Sequence, residues 1–308
     1  MPTVRYGAIA CERHENESTL DALLRSGAPV SYSCKAGTCG SCMVRVVDGS
    51  APARAQAGLK DSWKARGYVL ACVCHAEGDL TLAPVDADTQ VAARIVALDA
   101  LSAEVMRVRL ACDSGFDFSA GQYVTLIRPD GLARSYSIAS LPGEDLELHI
   151  RLLPNGRMSE WVRTAARVGE AVRVLGPNGD CFYTPGRPEQ PLLLVGTGTG
   201  LAPLYGIARD AVRQGHTGPI HLIHGAVRAE GLYLDETLRA LGGVHYKPTL
   251  LHADGPVDQV VLGLFPKPAG MRAFLCGDPA IVQTLKKKLF LQGLDLRDIH
   301  ADAFLPAA

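Results

Sequence analysis

Four cysteines offer the densest chemistry in this chain of 308 residues. They read Cys34-Lys-Ala-Gly-Thr-Cys39-Gly-Ser-Cys42 and then, after a long gap, Leu-Ala-Cys72. A C-x4-C-x2-C…C run is the plant-type spacing in which four thiolates hold the two irons of a 2Fe–2S cluster. Three ligands on one tight loop need small residues between them, and Ala36, Gly37, Thr38, Gly40 and Ser41 supply these. The glycines are free to take positive φ and let backbone amides approach the sulfurs. A four-thiolate zinc site and a disulfide framework are the competing readings. Zinc favours paired C-x2-C knuckles, and only Cys39 and Cys42 form one. Cys74, two residues beyond Cys72, rivals it for the fourth position. A cluster moves electrons singly, so a source of electrons is expected elsewhere in the chain.

Arg134-Ser135-Tyr136-Ser137 combines what a flavin asks of a protein: a cation for its phosphates, a flat wall for its ring, and a polar group near the nitrogen that receives hydride. Arg134 and Tyr136 share one face of an extended strand. Ser137 points the other way, so it needs a bend or the strand's end to join them. Pro154-Asn155-Gly156-Arg157-Met158-Ser159 places a glycine where a helix begins, and the first-turn amides with Ser159 form an anion site. Gly196-Thr197-Gly198-Thr199-Gly200-Leu201-Ala202-Pro203 follows an apolar strand and opens another helix, so its backbone can meet a pyrophosphate. It is not the Rossmann fingerprint, because Leu201 stands at the third glycine and residues 220–225 hold no acid for a ribose. A dinucleotide bound in a different manner is expected. Cys276-Gly277-Asp278-Pro279 closes what reads as the last parallel strand, the edge where open α/β sheets bind ligands.

Each motif has a plainer reading: a barrel strand facing water, an ordinary helix N-terminus, a structural turn, a small core thiol. Two phosphate-suited features one hairpin apart favour flavin over these. His221 and His224 lie three apart on an expected strand and face opposite sides, so they cannot share a metal. Structural or surface roles suit the histidines, and Cys11, Cys112 and Cys181 read as filler.

The elements that must position these motifs fall into three segments. Residues 1 to about 85 read as a strand over 3–9, a helix over 18–26 with Ser18 as N-cap and Asp21 as its partner, and a strand over 43–47 closed by an Asp48-Gly49 turn. Residues 84–90 form a linker. Short runs at 94–99, 105–111, 123–127, 135–139, 146–152 and 171–175 suggest a small antiparallel barrel, with one helix over 159–166. After a second linker at 185–188, apolar runs at 191–195, 220–224 and 272–276 each precede a helical pattern, the mark of a parallel sheet covered on both faces.

Composition narrows the class. A net charge of −1 without basic runs gives no reason to expect nucleic acid. No stretch approaches ~18 uninterrupted apolar residues, so no membrane span is expected. Nine cysteines without an apolar leader point to thiols in a reducing compartment, with the cytoplasm as the expected address.

Taken in chain order, CKAGTCGSC with LAC at Cys72, then GQYVTL, RSYSIAS, GRMS, VGTGTGLAP, LCGDPA and IHADAF, the sequence resembles the NADH-dependent reductase components of bacterial aromatic-ring oxygenases, of the benzoate and naphthalene dioxygenase reductase type. The resemblance covers the whole chain. It implies a multidomain α+β and α/β protein: a β-grasp 2Fe–2S ferredoxin domain over 1–88, a six-stranded antiparallel FAD-binding β-barrel over 89–188, and a parallel α/β NAD-binding domain over 189–308. Within such a family Cys34, Cys39, Cys42 and Cys72 would bind the cluster. Arg134, Ser135, Tyr136, Ser137, His149, Ile150 and the Gly156-Arg157-Met158-Ser159 turn would hold FAD. Gly196, Thr197, Gly198, Thr199, Gly200 and Pro203 would hold the NADH pyrophosphate, with Cys276, Gly277 and Asp278 beside the nicotinamide and Phe304 near the flavin ring. Ser137, Cys276 and Phe304 would flank hydride transfer. The implied cofactors are a 2Fe–2S cluster, FAD and NADH. The implied partner is an oxygenase component or intermediate ferredoxin, docking on the loop over residues 34–42. A soluble diiron monooxygenase or a sugar-nucleotide deoxygenating enzyme are alternative recipients, and a zinc-stapled binding module on an inactive reductase-like fold is the alternative from another class. NADH is expected over NADPH, because the stretch from His224 to Glu230 offers one cation, Arg228, with an acid two residues on.

Overall fold

The computed structural model describes residues 1–113 and 115–305, whose strands form three sheets. The first contains β1 (Thr3–Tyr6), β2 (Ile9–Glu12), β3 (Met43–Gly49), β4 (Tyr68–Leu70) and β5 (Leu80–Ala83) in the order β2-β1-β5-β3-β4. β1 and β5 run parallel and the other neighbours antiparallel. Val4, Tyr6, Leu80 and Leu82 alternate inward, and helix α1 (Thr19–Arg25) packs Leu20 and Leu23 into the same core. A helix laid across a mixed sheet is the β-grasp arrangement. Ser18 caps α1 as expected: its Oγ accepts the Asp21 N–H at 3.1 Å and donates to Asp21 Oδ2 at 2.7 Å. A short helix α2 (Asp61–Ala65) precedes β4.

Two expectations fail in this segment. Residues 3–9 are a hairpin rather than one strand, with Gly7 turning at φ 59°. Asp48-Gly49 is no turn but part of β3, where a bulge lets Gly49, at φ 92°, press so close to the Asp79 carbonyl that a Cβ would sit 2.3 Å from its oxygen.

The second sheet holds β6 (Val91–Ala100), β7 (Val105–Cys112), β8 (Tyr123–Ile127), β9 (Ala133–Ser137), β10 (Leu146–Arg151) and β11 (Ala171–Asn178). Its order is β10-β7-β6-β11-β8-β9, antiparallel throughout, and a bridge between Ile138 and Leu148 closes it into a barrel. Helix α3 (Arg157–Thr164) seals the core with Met158, Trp161 and Val162. β9 starts and ends two residues earlier than expected, and α3 likewise starts at Arg157 rather than 159.

The third sheet is wholly parallel, in the order β14-β13-β12-β15-β16, from β12 (Leu192–Thr197), β13 (Ile220–Ala226), β14 (Val244–Leu250), β15 (Arg272–Gly277) and β16 (Ile299–Ala303). Leu192 and Leu194 meet helix α4 (Leu201–Arg213) on one face, while Leu193 and Val195 share a core with α7 (Val257–Leu264) and α8 (Pro279–Leu291) on the other. Two shorter helices, α5 (Asp235–Arg239) and α6 (Leu251–Asp254), flank β14. Both outer strands escape the sequence reading, and the Cys276 strand is therefore not the last. Edge strands carry polar residues, here His245, Lys247, His300 and Asp302, where the inner three are apolar.

Candidate functional site

The cysteine loop takes its shape from left-handed residues: Lys35, Gly37 and Gly40 sit at φ 49°, 76° and 75°. That curvature aims donors at sulfur. The Ala36 N–H and Thr38 Oγ1 each reach Cys34 Sγ at 3.4 Å, Ser41 Oγ lies 3.5 Å from Cys39 Sγ, and the Gly37 N–H faces Cys72. The sulfurs pair two by two. The hydrogen bond between Cys34 and Cys39 pulls the first thiol down and pushes the second up, and the Cys72–Cys42 pair behaves the same way. Among the described residues no three Cys, His, Asp or Glu side chains converge as a single metal ion would require. Two pairs of sulfurs with amide donors beside them fit two irons with two thiolates each. Cys74 stands apart: it is fully buried, its thiol pushed up by that burial, and its carbonyl accepts the Thr19 N–H at 2.8 Å beneath α1.

The loop does not lie open along its length. Tyr123 OH donates to Thr38 O at 2.8 Å, while Thr125 Oγ1, at 3.4 Å, and Ser135 Oγ both donate to Cys39 O. Arg134 Nη1 reaches Tyr32 O at 2.5 Å, and Ser31 Oγ reaches Gly131 O at 2.6 Å. Strands β8 and β9 thus hold the Thr38 and Cys39 carbonyls of the loop, leaving the Lys35, Ala36 and Thr38 side chains exposed.

On β9 the flavin-suited residues stand in the expected relation. Tyr136 packs against the barrel core, burial raising its phenol, and Arg134 points the same way with Arg157 near enough to act on its charge. Ser137 solves its orientation by ending the strand, and its buried Oγ lies 3.1 Å from Asp302 Oδ2. At the start of α3, Ser159 Oγ donates to the carbonyls of Gly156 at 3.0 Å and Leu153 at 3.1 Å. Gly156 is required for space, since a Cβ there would sit 2.4 Å from that hydroxyl; the left-handed residue is its neighbour Asn155, at φ 59°.

Several assigned side chains are turned elsewhere. Ile150 and Met158 lie in the barrel core, which leaves only their backbone for a ligand. His149 is buried with both nitrogens engaged, Nε2 with Glu147 Oε1 at 2.9 Å and Nδ1 with Tyr233 OH at 3.1 Å, so its side chain belongs to the contact between barrel and parallel sheet. Asp278 caps α8, its Oδ1 accepting from Ala280 N at 2.9 Å and Ile281 N at 3.1 Å. Pro203 is buried inside the first turn of α4, where its fixed φ suits the helix start.

The glycines of the third sheet make its strand ends touch. A Cβ on Gly200 would lie 2.2 Å from Cys276 O, and one on Gly277 2.5 Å from Thr197 Oγ1. Thr197 Oγ1 accepts the Asp278 N–H at 2.9 Å, and Gly198 takes φ 53°. Beneath this loop the buried His224 donates from Nε2 to Gly198 O at 3.1 Å, burial holding its ring at a pKa of about 4. Phe304 continues β16 past Gly277, its N–H donating to Gly277 O at 2.8 Å. Cys276 is 1 % exposed, and burial pushes its thiol up. Asp302, Tyr233 and Cys181 are the residues that sequence reasoning passed over. Asp302 lies within the quoted IHADAF run; nothing in the sequence marks the other two.

Comparison with known proteins finds three domain types in the same order. Residues 7–77 match the 2Fe-2S iron-sulfur cluster binding domain, 92–183 the oxidoreductase FAD-binding domain, and 194–287 the oxidoreductase NAD-binding domain. The chain is 36 % identical, over 93 % of itself and 93 % of the relative, to the ferredoxin–NAD(P)+ reductase component of the naphthalene 1,2-dioxygenase system of Pseudomonas putida. It is 32 % identical, with 99 % of each chain covered, to the reductase subunit of an aromatic O-demethylase from Amycolatopsis. A crystal structure of an Amycolatopsis cytochrome P450 reductase superposes with a TM-score of 0.70 at 29 % identity over 100 % of both chains.

Proposed function

The chain belongs to the ferredoxin–NAD(P)+ reductase components of aromatic-ring dioxygenase systems, and from that membership we propose that it carries electrons from NADH through FAD and a 2Fe–2S cluster to a ring-hydroxylating oxygenase or its intermediate ferredoxin. The observation that carries the electron path is strand β9. Within its five residues, Ser135 touches the cysteine loop and Arg134 the Tyr32 carbonyl just before it, while Ser137 touches Asp302 at the end of the parallel sheet. At about 3.3 Å per residue, one strand spans the whole route from nicotinamide edge to cluster.

When bound, FAD takes a hydride as two electrons together and the cluster passes electrons on one at a time, which is why both are needed. Arg134, Arg157 and the first-turn amides of α3 are assigned to the flavin phosphates, Tyr136 to the ring's wall, and the Ser137 hydroxyl, held by Asp302, to the ring edge. The Gly196–Gly200 backbone is assigned to the dinucleotide pyrophosphate, and Cys276 with Phe304 to the nicotinamide position. Cys34, Cys39, Cys42 and Cys72 are assigned to the irons, and the Lys35–Ala36 side of the loop to the protein partner. Units over 1–88, 89–188 and 189–308 are proposed as the working modules. No helix among the described residues is long and apolar enough to cross a membrane. Nine cysteines, none of them in a disulfide, suit a reducing, cytoplasmic setting.

Reconstitution tests the reading. Purified chain carrying FAD and about two irons should drive product formation by a naphthalene-type dioxygenase with NADH. The Cys34→Ser variant should lose that while still reducing ferricyanide, which can meet the flavin directly. Full oxygenase turnover without an intact cysteine quartet would overturn it.

A further inference from the structure

Cys181 lies in the connection after β11, 95 residues before Cys276 and outside every motif, yet the two sulfurs stand 3.6 Å apart. Both residues are buried, at 5 % and 1 % exposure. They belong to opposite sides of a seam. The Cys181 carbonyl is pressed against Gly121 of the barrel, where a Cβ would come within 2.4 Å of its oxygen. The Cys276 carbonyl is pressed in the same way against Gly200 of the phosphate loop, at 2.2 Å. With both backbones fixed, the one freedom left to Cys276 is its single side-chain torsion, with three staggered wells. The Cys181 thiol is the contact that chooses among them.

We infer that Cys181 is the positioning residue for Cys276, its thiol holding the Cys276 sulfur in the rotamer that faces the nicotinamide position. This rests on the assignment of Cys276 to that position. Burial together with the neighbouring Cys181 keeps the Cys276 thiol protonated, so it meets Cys181 as an S–H···S contact and not as a nucleophile poised for disulfide exchange. Alanine at 181 removes the contact and leaves a void beside Cys276, opening a second rotamer; serine keeps a donor and acceptor there.

Flavin reduction by NADH, followed by anaerobic rapid mixing of the full FAD-loaded chain, reads the effect. Cys181→Ala should lower the limiting rate by about fivefold, the size expected when one hydrogen bond's worth of orientation is lost. Its dissociation constant for NADH should stay within about twofold, because the pyrophosphate contacts are untouched. Cys181→Ser should keep at least half the parent rate. In a Cys276→Ala background the further change Cys181→Ala should have no effect, since a positioning residue has nothing left to position. An unchanged rate in Cys181→Ala overturns the inference, and so does the same loss in both backgrounds, which would mark Cys181 as packing alone. A parent chain whose flavin NADH does not bleach would instead overturn the proposed function.

Discussion

Cys72 and Cys74 point to one side on an extended chain, so spacing alone had to separate them. The fold separates them further: Cys72 meets Cys42 and the Gly37 amide, whereas Cys74 is sunk under α1. Cys72→Ser should therefore abolish the visible cluster absorbance and iron content. Cys74→Ser should keep both and cost about 1 kcal/mol of stability from a hydroxyl in an apolar site; retained iron in the first or lost iron in the second contradicts the assignment. The thiols and the Arg134–Ser137 run were legible because their chemistry is written in neighbouring residues. Asp302, Tyr233 and Cys181 were not, because each gains its partner from a distant segment. Cofactor choice also rests on single side chains. Arg228 and Glu230 are both exposed just after β13, one cation with one acid where a 2′-phosphate needs several donors. kcat/KM should be higher with NADH than with NADPH, and Glu230→Ala should narrow the ratio; a native preference for NADPH refutes this.

Elements explain why some residues are placed well and others were misread. Inner strands β12, β13 and β15 were found from their apolar runs, whereas β14 and β16 pair along one edge and carry the polar residues of solvent-facing strands. That omission hid the element which brings Asp302 to Ser137. Tyr233 links barrel and sheet in the same hidden way, its ring meeting His149 and His224 edge-on at centroid distances of 5.3 and 5.5 Å. The His224 contact carries a pH signature. Its ring titrates near 4 in the fold against an ordinary 6.5, so between those values the unfolded chain binds more protons and stability falls as pH falls. The loss amounts to roughly 3 kcal/mol by pH 4. His224→Gln, which keeps a donor for Gly198 O, should flatten the decline in melting temperature between pH 6.5 and 4.5. An unchanged slope would mean that other groups govern acid unfolding.

The order of the three modules was readable from motifs, but not how tightly the first meets the second. Ile127, Ala133 and Leu175 of the barrel share one continuous core with the first sheet, and β8 and β9 hold the cysteine loop by hydrogen bonds. Sequence patterns report that a face is apolar, not which neighbour covers it. A fragment beginning at Val91 should therefore bind FAD and reduce ferricyanide with NADH, yet melt below the intact chain because those barrel side chains lose their cover. It should fail to reduce the oxygenase partner, and undiminished partner reduction would take the first module out of the path. Electrons are proposed to flow from the nicotinamide edge to the barrel and then to the cluster. Anaerobic rapid mixing of the intact chain with NADH, followed at flavin and cluster wavelengths, tests it most directly. Flavin bleaching should come first and cluster bleaching second, and Cys72→Ser should keep the first phase at its native rate while losing the second. A cluster that bleaches ahead of the flavin, or a first phase that disappears with Cys72, would contradict the account.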